Sequence, residues 1–260
     1  MENSSVRYDV EDQVAAITLN RPDRYNSVNH DLVEGLIACL DKARDDKQVR
    51  AILITGEGRG FCAGADMADF AGVTPEDVGA YIPTFYGSIV RRIVSIPKPV
   101  IAAINGSVAG VGLAFALACD LRVMADNGSM RYAFINIGLG PDGGAGWFLS
   151  RLVGYSRAFE IAVEGEKIPA KRCLELGLTN KVVAADDLLE EAHKWAVHLA
   201  NRPTLGIGIT KKALHHATTH TLMETTVLEA ENQVRALKSQ DHSEGVQAFL
   251  QKRQPVFQGK

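Results

Sequence analysis

The chain is poor in the features that mark disulfide frameworks, zinc sites and charged partners. Its 260 residues contain only four cysteines, and none has the C-x-x-C spacing of a zinc knuckle. This cysteine usage suits a reducing compartment, and the opening MENSSVRYDVED lacks a secretory signal pattern, so we expect a cytoplasmic protein. The 28 basic and 31 acidic side chains leave a net charge of −3. Such a chain lacks the charge excess of proteins that bind nucleic acid or anionic membranes.

Motifs of several catalytic classes are also missing. The sequence contains no G-x-x-x-x-G-K-[ST] phosphate loop, no H-E-x-x-H metal motif and no G-x-S-x-G nucleophile turn. The loop GEGRGFCAGAD superficially resembles a dinucleotide fingerprint, but FCAGADM stands where a helix should begin. His216, His220 and Glu224 have the spacing of a cation site on one helix face. We prefer an ordinary solvated face, because no second ligand cluster accompanies them, and we expect no metal.

One stretch without charge, from Pro99 to Cys119, is long enough to span a membrane. Its centre, Asn105-Gly106-Ser107, interrupts the apolar run, and two further glycines follow soon after. We therefore predict a buried strand in PVIAAI, a turn in NGSVAG and a short buried helix in GLAFALAC, with no membrane span.

Strands alternate with helices over most of the chain, which predicts an α/β fold. Strands are predicted at residues 14–20, 51–55 and 120–125, and helices at 30–47, at 74–95 and from about Trp147. From Asp186 onward the pattern is only helical, at 186–200, 203–218, 220–238 and 241–252. We divide the chain into a core at residues 1–200 and a C-terminal helical region at residues 201–260. That region either mediates oligomerisation or caps the same core.

Two glycine-rich turns, CAGAD and NGSVAGVG, each precede a predicted helix. Turns of this kind expose backbone N–H groups at helix N-termini, where these groups can stabilise an anion without a metal. The chemistry that uses paired amides in this way is stabilisation of an oxyanion such as a thioester enolate. The alternative is that the glycines only permit tight packing.

Longer segments carry a resemblance to a known family. GRGFCAGADM, PKPVIAAINGSVAGVGLAFALACDLRVMAD, IGLGPDGGAGWFLSRLVG and EGVQAFLQKRQPVFQGK occur in this order, with NRPDRYNSVN and KIPAKRCLELGLTNKVV between them or before them. Together they resemble the crotonase (enoyl-CoA hydratase/isomerase) superfamily along nearly the whole chain. The resemblance implies a ClpP-like spiral of ββα units with a C-terminal helical trimerisation region. It also implies an acyl-CoA thioester substrate, coenzyme A bound only as part of that substrate, and a homotrimer or a dimer of trimers.

The resemblance further assigns site residues. The two oxyanion N–H groups would come from Ala65 and Val111, although most relatives have glycine at the second position and valine would narrow the pocket. The expected coenzyme A contacts are Arg24, Ala63, Ala65, Asp66 and Met67. The candidate walls of the acyl pocket are Met67, Phe70, Tyr81, Phe85, Phe134 and Trp147, for which ordinary core packing is the alternative.

The departures from the family pattern concern the acid–base groups. Hydratases of this family hold water with two glutamates, and here those positions are Ala114 and Asn136. A carboxylate appears instead at Asp142, in GLGPDGG. An aspartate just before a helix is commonly an N-cap. However, P-D-G-G resembles the ring-1,2-epoxyphenylacetyl-CoA isomerases and some Δ3,Δ2-enoyl-CoA isomerases, where this aspartate is the acid/base.

We therefore predict an acyl-CoA isomerase in which Asp142 takes a proton from the α-carbon and returns it to the γ-carbon. Burial among apolar groups should raise the pKa of Asp142. The alternatives are an enoyl-CoA hydratase that adds water to 2-trans-enoyl-CoA with Asp142 alone, and a non-catalytic acyl-CoA-binding protein. RNA binding, known from one branch of the family, is disfavoured because the helix at residues 31–47 carries more acids than bases.

Overall fold

The computed structural model describes residues 5–260. A six-stranded sheet contains, in spatial order, β1 (Val6–Glu11), β2 (Val14–Leu19), β3 (Ala51–Gly56), β5 (Val100–Ile104), β7 (Leu121–Ala125) and β10 (Lys181–Val183). A four-stranded sheet contains β4 (Gly60–Cys62), β6 (Ser107–Ala109), β8 (Ser129–Arg131) and β9 (Lys167–Pro169). All neighbours are parallel except the β1–β2 and β8–β9 pairs. From β3 to β8 the chain therefore adds one strand to each sheet in turn.

The helices follow the strands in a repeating order. They are α1 (His30–Asp45), α2 (Met67–Phe70), α3 (Val78–Thr84), α4 (Tyr86–Ser95), α5 (Gly110–Ala118), α6 (Ala145–Val153), α7 (Tyr155–Glu164), α8 (Ala170–Glu175), α9 (Leu188–Ala200), α10 (Thr204–Ala217), α11 (Leu222–Leu237) and α12 (Gln240–Gln251). Short 3-10 turns lie at Pro22–Arg24, Ala133–Ile137 and Ala185–Asp187. A long strand, a short strand and then one or more helices recur three times, beginning at β3, β5 and β7. This repetition confirms the predicted spiral of ββα units.

The core lies on both faces of the larger sheet. β3 and β5 are buried along their whole length, which explains why their sequences are continuous apolar runs. Alternate residues of β3 point to opposite faces. Ile52 and Ile54 join a cluster with α1, α4 and α5, whereas Ala51 and Leu53 pack with the inward face of α9.

The predicted boundary near residue 200 falls between α9 and α10. The C-terminal region is nevertheless tied to the core through Arg50. Its guanidinium donates hydrogen bonds to the Thr204 hydroxyl at 2.8 Å and to the carbonyls of Arg202 and Phe257 at 2.7 and 2.9 Å.

Two local predictions differ from the structure. The helix expected at residues 74–95 is divided at Phe85 into α3 and α4, because Pro83 inside α3 has no N–H to continue the hydrogen-bond ladder. It also begins only at Val78, since Thr74–Asp77 form a turn in which the Thr74 hydroxyl accepts from the Asp77 amide at 3.3 Å. The segment NGSVAG, expected as a turn, contains β6. Strands of three residues are too short to show a period of two.

The uncharged stretch at residues 99–119 is divided among β5, β6 and α5. Within residues 5–260, no helix has both the length and the apolar character needed to cross a membrane.

Candidate active site

Two loops meet at the carboxyl edge of the smaller sheet. In the β4–β6 pair, Gly60 lies opposite Ser107 and Cys62 opposite Val108, so the chain leaves both strands at the same edge. Gly64 and Gly110 then adopt φ values of +104° and +53°, which favour glycine. A Cβ on Gly110 would lie 3.4 Å from the Gly64 Cα, so the two backbones are in van der Waals contact. The next residue in each loop is Ala65 or Val111, and the contact brings these two together.

The N–H groups of Ala65 and Val111 are free to bind an anion. Val111 is the second residue of α5, where N–H groups have no partner within the helix, and no side chain caps this end. On either side of Ala65, the Val28 N–H donates to the Gly64 carbonyl at 2.8 Å and the Asp66 N–H donates to the Val28 carbonyl at 2.9 Å. This parallel bridge directs the Ala65 N–H away from Val28. Among residues 5–260, neither amide donates a hydrogen bond.

Asp66 has a structural role that the sequence did not suggest. Its carboxylate forms an ion pair with Arg21 at 2.9 Å and accepts hydrogen bonds from the Ser27 hydroxyl and the Ala68 amide. Burial would raise the pKa of Asp66, but the bonds from Arg21 and Ala68 outweigh it and hold the pKa below its usual range. Because its amide and carboxylate are both engaged, Asp66 holds the loop in shape, and its contact with coenzyme A stays a prediction.

The remaining predicted coenzyme A contacts lie on the surface beside this loop. Ala63 is exposed, and its N–H donates a hydrogen bond to the Tyr25 carbonyl at 2.9 Å. The Met67 side chain is 56% exposed. Arg24 is exposed in the 3-10 turn that precedes Tyr25. These positions are accessible to a ligand, and their contact with coenzyme A stays a prediction.

The loop that carries Asp142 packs against α5 at Val111. A Cβ on the next residue, Gly143, would be 3.1 Å from both the Val111 Cγ2 and the Ala114 Cβ. The loop therefore presses directly on the first turn of α5. The carboxylate does not cap α6, whose N-terminus has no side-chain cap, so the N-cap interpretation is wrong. Within the described residues the Oδ1 atom of Asp142 is buried and has no hydrogen-bond partner.

Burial makes Asp142 a weaker acid than an exposed aspartate. Removal from water disfavours the charged form and raises the pKa of this carboxyl to about 6. A carboxylate with that pKa is ionised at neutral pH and is a stronger base than an exposed aspartate. The predicted direction of the shift is confirmed.

An aromatic cluster on α2, α3 and α4 reaches Asp142 through Tyr86. The Tyr81 ring stacks on Phe85 at 4.5 Å and meets Phe70 at 6.1 Å and Tyr86 at 5.5 Å, edge to face. Tyr86 is fully buried, and burial, Tyr81 and then Asp142 raise the pKa of its hydroxyl. Sequence reasoning missed Tyr86, and the only signal was the neighbouring Phe85-Tyr86 pair.

Phe134 lies on a second approach to the same carboxylate. Its ring packs against Tyr132 at 5.0 Å, and both residues are buried. Burial and then the charge of Asp142 raise the pKa of Tyr132 to about 12. Phe134 therefore packs against a tyrosine that the charge of Asp142 reaches, and its place in the wall of the acyl pocket stays a prediction.

Trp147 does not belong to this group, which corrects the prediction. Its ring lies 3.9 Å from the Arg151 guanidinium and 6.4 Å from the His215 ring, and it lines a cavity of about 730 Å³ between α6 and α10. The reason is helical periodicity: Ala145, Phe148 and Leu149 form the buried face of α6, and Trp147 points to another side.

The two positions that hold water in hydratases cannot do so here. Ala114 is fully buried beneath Gly143. The Asn136 amide donates to the Gly165 carbonyl at 2.9 Å, in the turn before β9. Of the two carboxylates on these loops, Asp66 is paired with Arg21, whereas Asp142 Oδ1 has no hydrogen-bond partner among the residues described.

The possible cation face is an ordinary helix start. The rings of His216 and His220 stack at 3.6 Å, and the Glu224 carboxylate accepts from the Thr221 amide and hydroxyl at 2.8 Å in a capping box. In the part of the chain that the structure describes, no group of three or more His, Cys, Asp or Glu side chains could hold a metal ion.

Comparisons with known proteins agree on one family. The family model described as "Enoyl-CoA hydratase/isomerase" matches residues 9–260. A 1,2-epoxyphenylacetyl-CoA isomerase of Escherichia coli (strain K12) is 42% identical, covering 96% of this chain and 97% of that protein. A probable enoyl-CoA hydratase of Rhodobacter capsulatus is 39% identical over the whole of both chains. The crystal structure of an enoyl-CoA hydratase from Bacillus anthracis superposes with a TM-score of 0.93 at 31% identity, covering 98% of this chain and 100% of that one.

Proposed function

Because the chain belongs to the enoyl-CoA hydratase/isomerase family, we propose that it is an acyl-CoA isomerase that uses Asp142 as its single acid/base. The reaction would shift a double bond or rearrange a ring epoxide through a thioester enolate. One observation carries this proposal: a half-buried carboxyl with a pKa of about 6, whose Oδ1 has no hydrogen-bond partner among residues 5–260, lies on the loop that packs against Val111.

The amides of Ala65 and Val111 would bind the thioester oxygen of the substrate. Negative charge develops on that oxygen when the α-proton leaves, and fixed N–H donors stabilise it without reorganisation. Coenzyme A takes part only as a portion of the substrate. The E. coli relative named 1,2-epoxyphenylacetyl-CoA isomerase supports an aromatic acyl group as one candidate.

Asp142 would remove the α-proton as a carboxylate and return it to the γ-carbon as a carboxylic acid. One group suffices, because the proton that leaves is the proton that comes back. A base is most effective when its pKa lies near the working pH, and a pKa of about 6 meets that condition better than that of an exposed aspartate.

Hydration is the second candidate, because relatives such as the Rhodobacter capsulatus protein are named probable enoyl-CoA hydratases. Hydration requires that water be held and activated. Ala114 has no polar group, and the Asn136 amide is engaged with the Gly165 carbonyl. Both observations favour isomerisation over hydration.

The test is an assay of purified protein on paired 2-trans-enoyl-CoA and 3-enoyl-CoA substrates, both linear and aryl-substituted. Asp142→Asn should lower kcat for isomerisation by about 10²–10⁴-fold with little change in substrate binding. The matched control is Asp126→Asn, since Asp126 is an exposed aspartate directly after β7.

Two results would contradict the proposal. One is near-full isomerase activity in Asp142→Asn. The other is hydration of 2-trans-enoyl-CoA by the wild type at about 10–10³ per second, a rate typical of good enzymes. The double variant Ala114→Glu, Asn136→Glu tests the same distinction, because added carboxylates should raise hydration relative to isomerisation.

Coenzyme A should bind along the loop at residues 63–67 through backbone groups, with Arg24 near its phosphates. A structure with a bound acyl-CoA analogue tests this directly. Coenzyme A atoms more than about 5 Å from the whole loop, beyond hydrogen-bond reach, would contradict it. The four cysteines are all free thiols, which supports a reducing compartment, and we place the protein in the cytoplasm.

A further inference from the structure

Two buried polar atoms at the candidate site have no hydrogen-bond partner. Among residues 5–260, the buried side-chain atoms without a partner are Asp142 Oδ1, the hydroxyls of Tyr86 and Tyr8, and Asn232 Nδ2. Such atoms are rare in folded proteins, because an unsatisfied polar group loses its bonds to water and gains nothing in return. Asp142 Oδ1 is an acceptor and the Tyr86 hydroxyl can donate, so the two unpartnered atoms have the chemistry of a hydrogen-bonded pair.

The backbone brings the loop of Asp142 against Tyr86, and the charge of Asp142 acts on the Tyr86 hydroxyl. A Cβ on Gly143, the residue after Asp142, would lie 3.9 Å from the Tyr86 Cβ. Tyr86 is the first residue of α4, and its ring is packed edge to face against Tyr81 at 5.5 Å and Phe115 at 6.5 Å. The ring therefore has a defined orientation, and a small shift of the carboxylate changes the distance between the two atoms.

The other titratable groups around the pair are tyrosine and cysteine side chains. Tyr81 on α3 and Cys62 at the end of β4 both influence Tyr86, and Tyr132 before the 3-10 turn is influenced by Asp142. Burial raises the pKa of Tyr132 and of Cys62 to about 12 in each case, so both keep their protons. No lysine, arginine or histidine contributes to the pKa of Asp142 among the residues described. A neutral hydroxyl is therefore the available donor for this carboxylate.

Tyr86 fits that role better than Tyr132. The Tyr132 hydroxyl faces the first turn of α6 and lies 3.4 Å from where a Cβ on Gly146 would be. The buried side-chain atoms that lack a hydrogen-bond partner do not include this hydroxyl. The Tyr86 hydroxyl makes no hydrogen bond in the structure, its neighbouring hydroxyl is that of Tyr81, and burial keeps it protonated, so it has a proton to donate.

We propose that Tyr86 is a positioning residue whose hydroxyl donates a hydrogen bond to Asp142 Oδ1 once Asp142 has lost its proton. The inference rests on the proposed function of Asp142 as acid/base. In the structure the two atoms make no hydrogen bond, and the bond forms when charge on the carboxylate attracts the hydroxyl. The proton that is exchanged with the acyl group is then carried on Oδ2. The hydrogen bond from Tyr86 to Oδ1 thus leaves Oδ2 of Asp142 as the base and stabilises the anionic form of the carboxyl.

The sign of the effect follows from which form is bonded. A donor to the carboxylate stabilises the anion and lowers the pKa of Asp142, so loss of the donor raises it. In Tyr86→Phe the acidic limb of the kcat/KM profile should move to higher pH by about one unit. The value of about 6 belongs to a carboxyl without this bond, so the limb should lie near pH 5 in the wild type and near pH 6 in Tyr86→Phe. Activity should then fall by about fivefold at pH 5 and by less than about twofold at pH 7. The Tm should stay the same or rise by about 2–4 °C, because an unsatisfied hydroxyl is removed.

Tyr8→Phe is the matched control. Tyr8 is also a tyrosine with a buried, unpartnered hydroxyl, but it lies on β1 beneath the Lys42 ammonium and far along the chain from Asp142. It should leave the pH profile unchanged. A site-specific fluorotyrosine at position 86, which is a stronger donor, should move the limb in the opposite direction, to lower pH.

Infrared difference spectra recorded across the pH range separate this proposal from the proposed function. The carboxyl band that disappears in Asp142→Asn belongs to Asp142, and its titration needs no turnover. A raised midpoint in Tyr86→Phe supports the positioning role even if no isomerisation is found, in which case only the proposed function fails. An unchanged midpoint, or an equal shift in Tyr8→Phe, overturns the positioning role.

Discussion

The raised pKa of Asp142 favours its proposed role as a base but lowers the stability of the folded protein at neutral pH. An aspartate whose pKa is raised to about 6 in the folded protein prefers to be protonated there, whereas the unfolded chain ionises it near its ordinary value of 3.8. As pH rises between these two values, the unfolded state loses the proton first, so the folded state becomes relatively less stable. Above about pH 6 the full cost of the buried charge is present, and below about pH 4 it is absent. The same burial that makes the carboxylate basic makes it destabilising.

We therefore expect Asp142→Asn to be more stable than the wild type at pH 8, by about 1–3 kcal/mol, and nearly equal in stability at pH 4. Urea unfolding of both proteins at the two pH values measures this difference. Other carboxyl groups titrate equally in both proteins and cancel. Asp126→Asn should show no such pH dependence. A stability difference that is the same at pH 4 and pH 8 would show that Asp142 has no raised pKa.

At the scale of elements, the placing of the Ala65 and Val111 amides depends on two turns whose glycines, Gly64 and Gly110, allow their backbones to touch. Gly64 is at φ +104°, and a Cβ there would be 3.2 Å from the Ala109 carbonyl oxygen, just before α5. A side chain at this position strains the turn and pushes β4 and α5 apart. The separation between Ala65 and Val111 would change with it.

Gly64→Ala should therefore lower kcat by about 10²–10³-fold, the cost of losing one oxyanion donor, and should lower the Tm. The control is Gly79→Ala in α3, where an added Cβ meets nothing within 4 Å and alanine favours the helix. That variant should keep the wild-type Tm or exceed it. Wild-type kcat in Gly64→Ala would remove the oxyanion role from this pair of loops.

At the scale of the whole molecule, the C-terminal helices expose apolar surface. Leu222 and Met223 on α11 are 79% and 72% exposed, and Phe249 and Leu250 on α12 are 82% and 74% exposed. Large contiguous apolar patches on soluble proteins commonly mark interfaces. The faces that these helices leave unburied therefore support the proposal that residues 201–260 join subunits in a trimer or a dimer of trimers.

Sedimentation of the wild type at micromolar concentration should give a trimer or hexamer. The double variant Phe249→Ser, Leu250→Ser should dissociate it, since each exposed side chain would otherwise bury apolar area worth about 2 kcal/mol. Val10→Ser on β1, which is 44% exposed, should leave the assembly intact. A stable monomer of the wild type would contradict the proposal.

The sequence alone determined the fold and the place of the two glycine-rich loops for which we propose an oxyanion role. Runs such as VIAAI and the apolar period of residues 30–45 are local signals, and the ordered motifs around CAGAD and PDGG are specific to one family. The C-terminal helices were predicted to within two residues for the same reason, since their periodicity is long and regular. Long, regular patterns held, whereas the helix expected at 74–95 was divided near Pro83 and the short segment NGSVAG proved to contain a strand.

Tertiary structure decided what each side chain near the site does. Asp66 lies in the predicted loop, yet its carboxylate is held by Arg21, forty-five positions away. Trp147 is five residues from Asp142 but faces Arg151 and α10. Tyr86 carries no motif, and only the approach of α4 to Gly143 shows that its hydroxyl is buried beside Asp142. Contacts, burial and pKa depend on residues distant in the chain, and their arrangement cannot be derived from the spacing of neighbours.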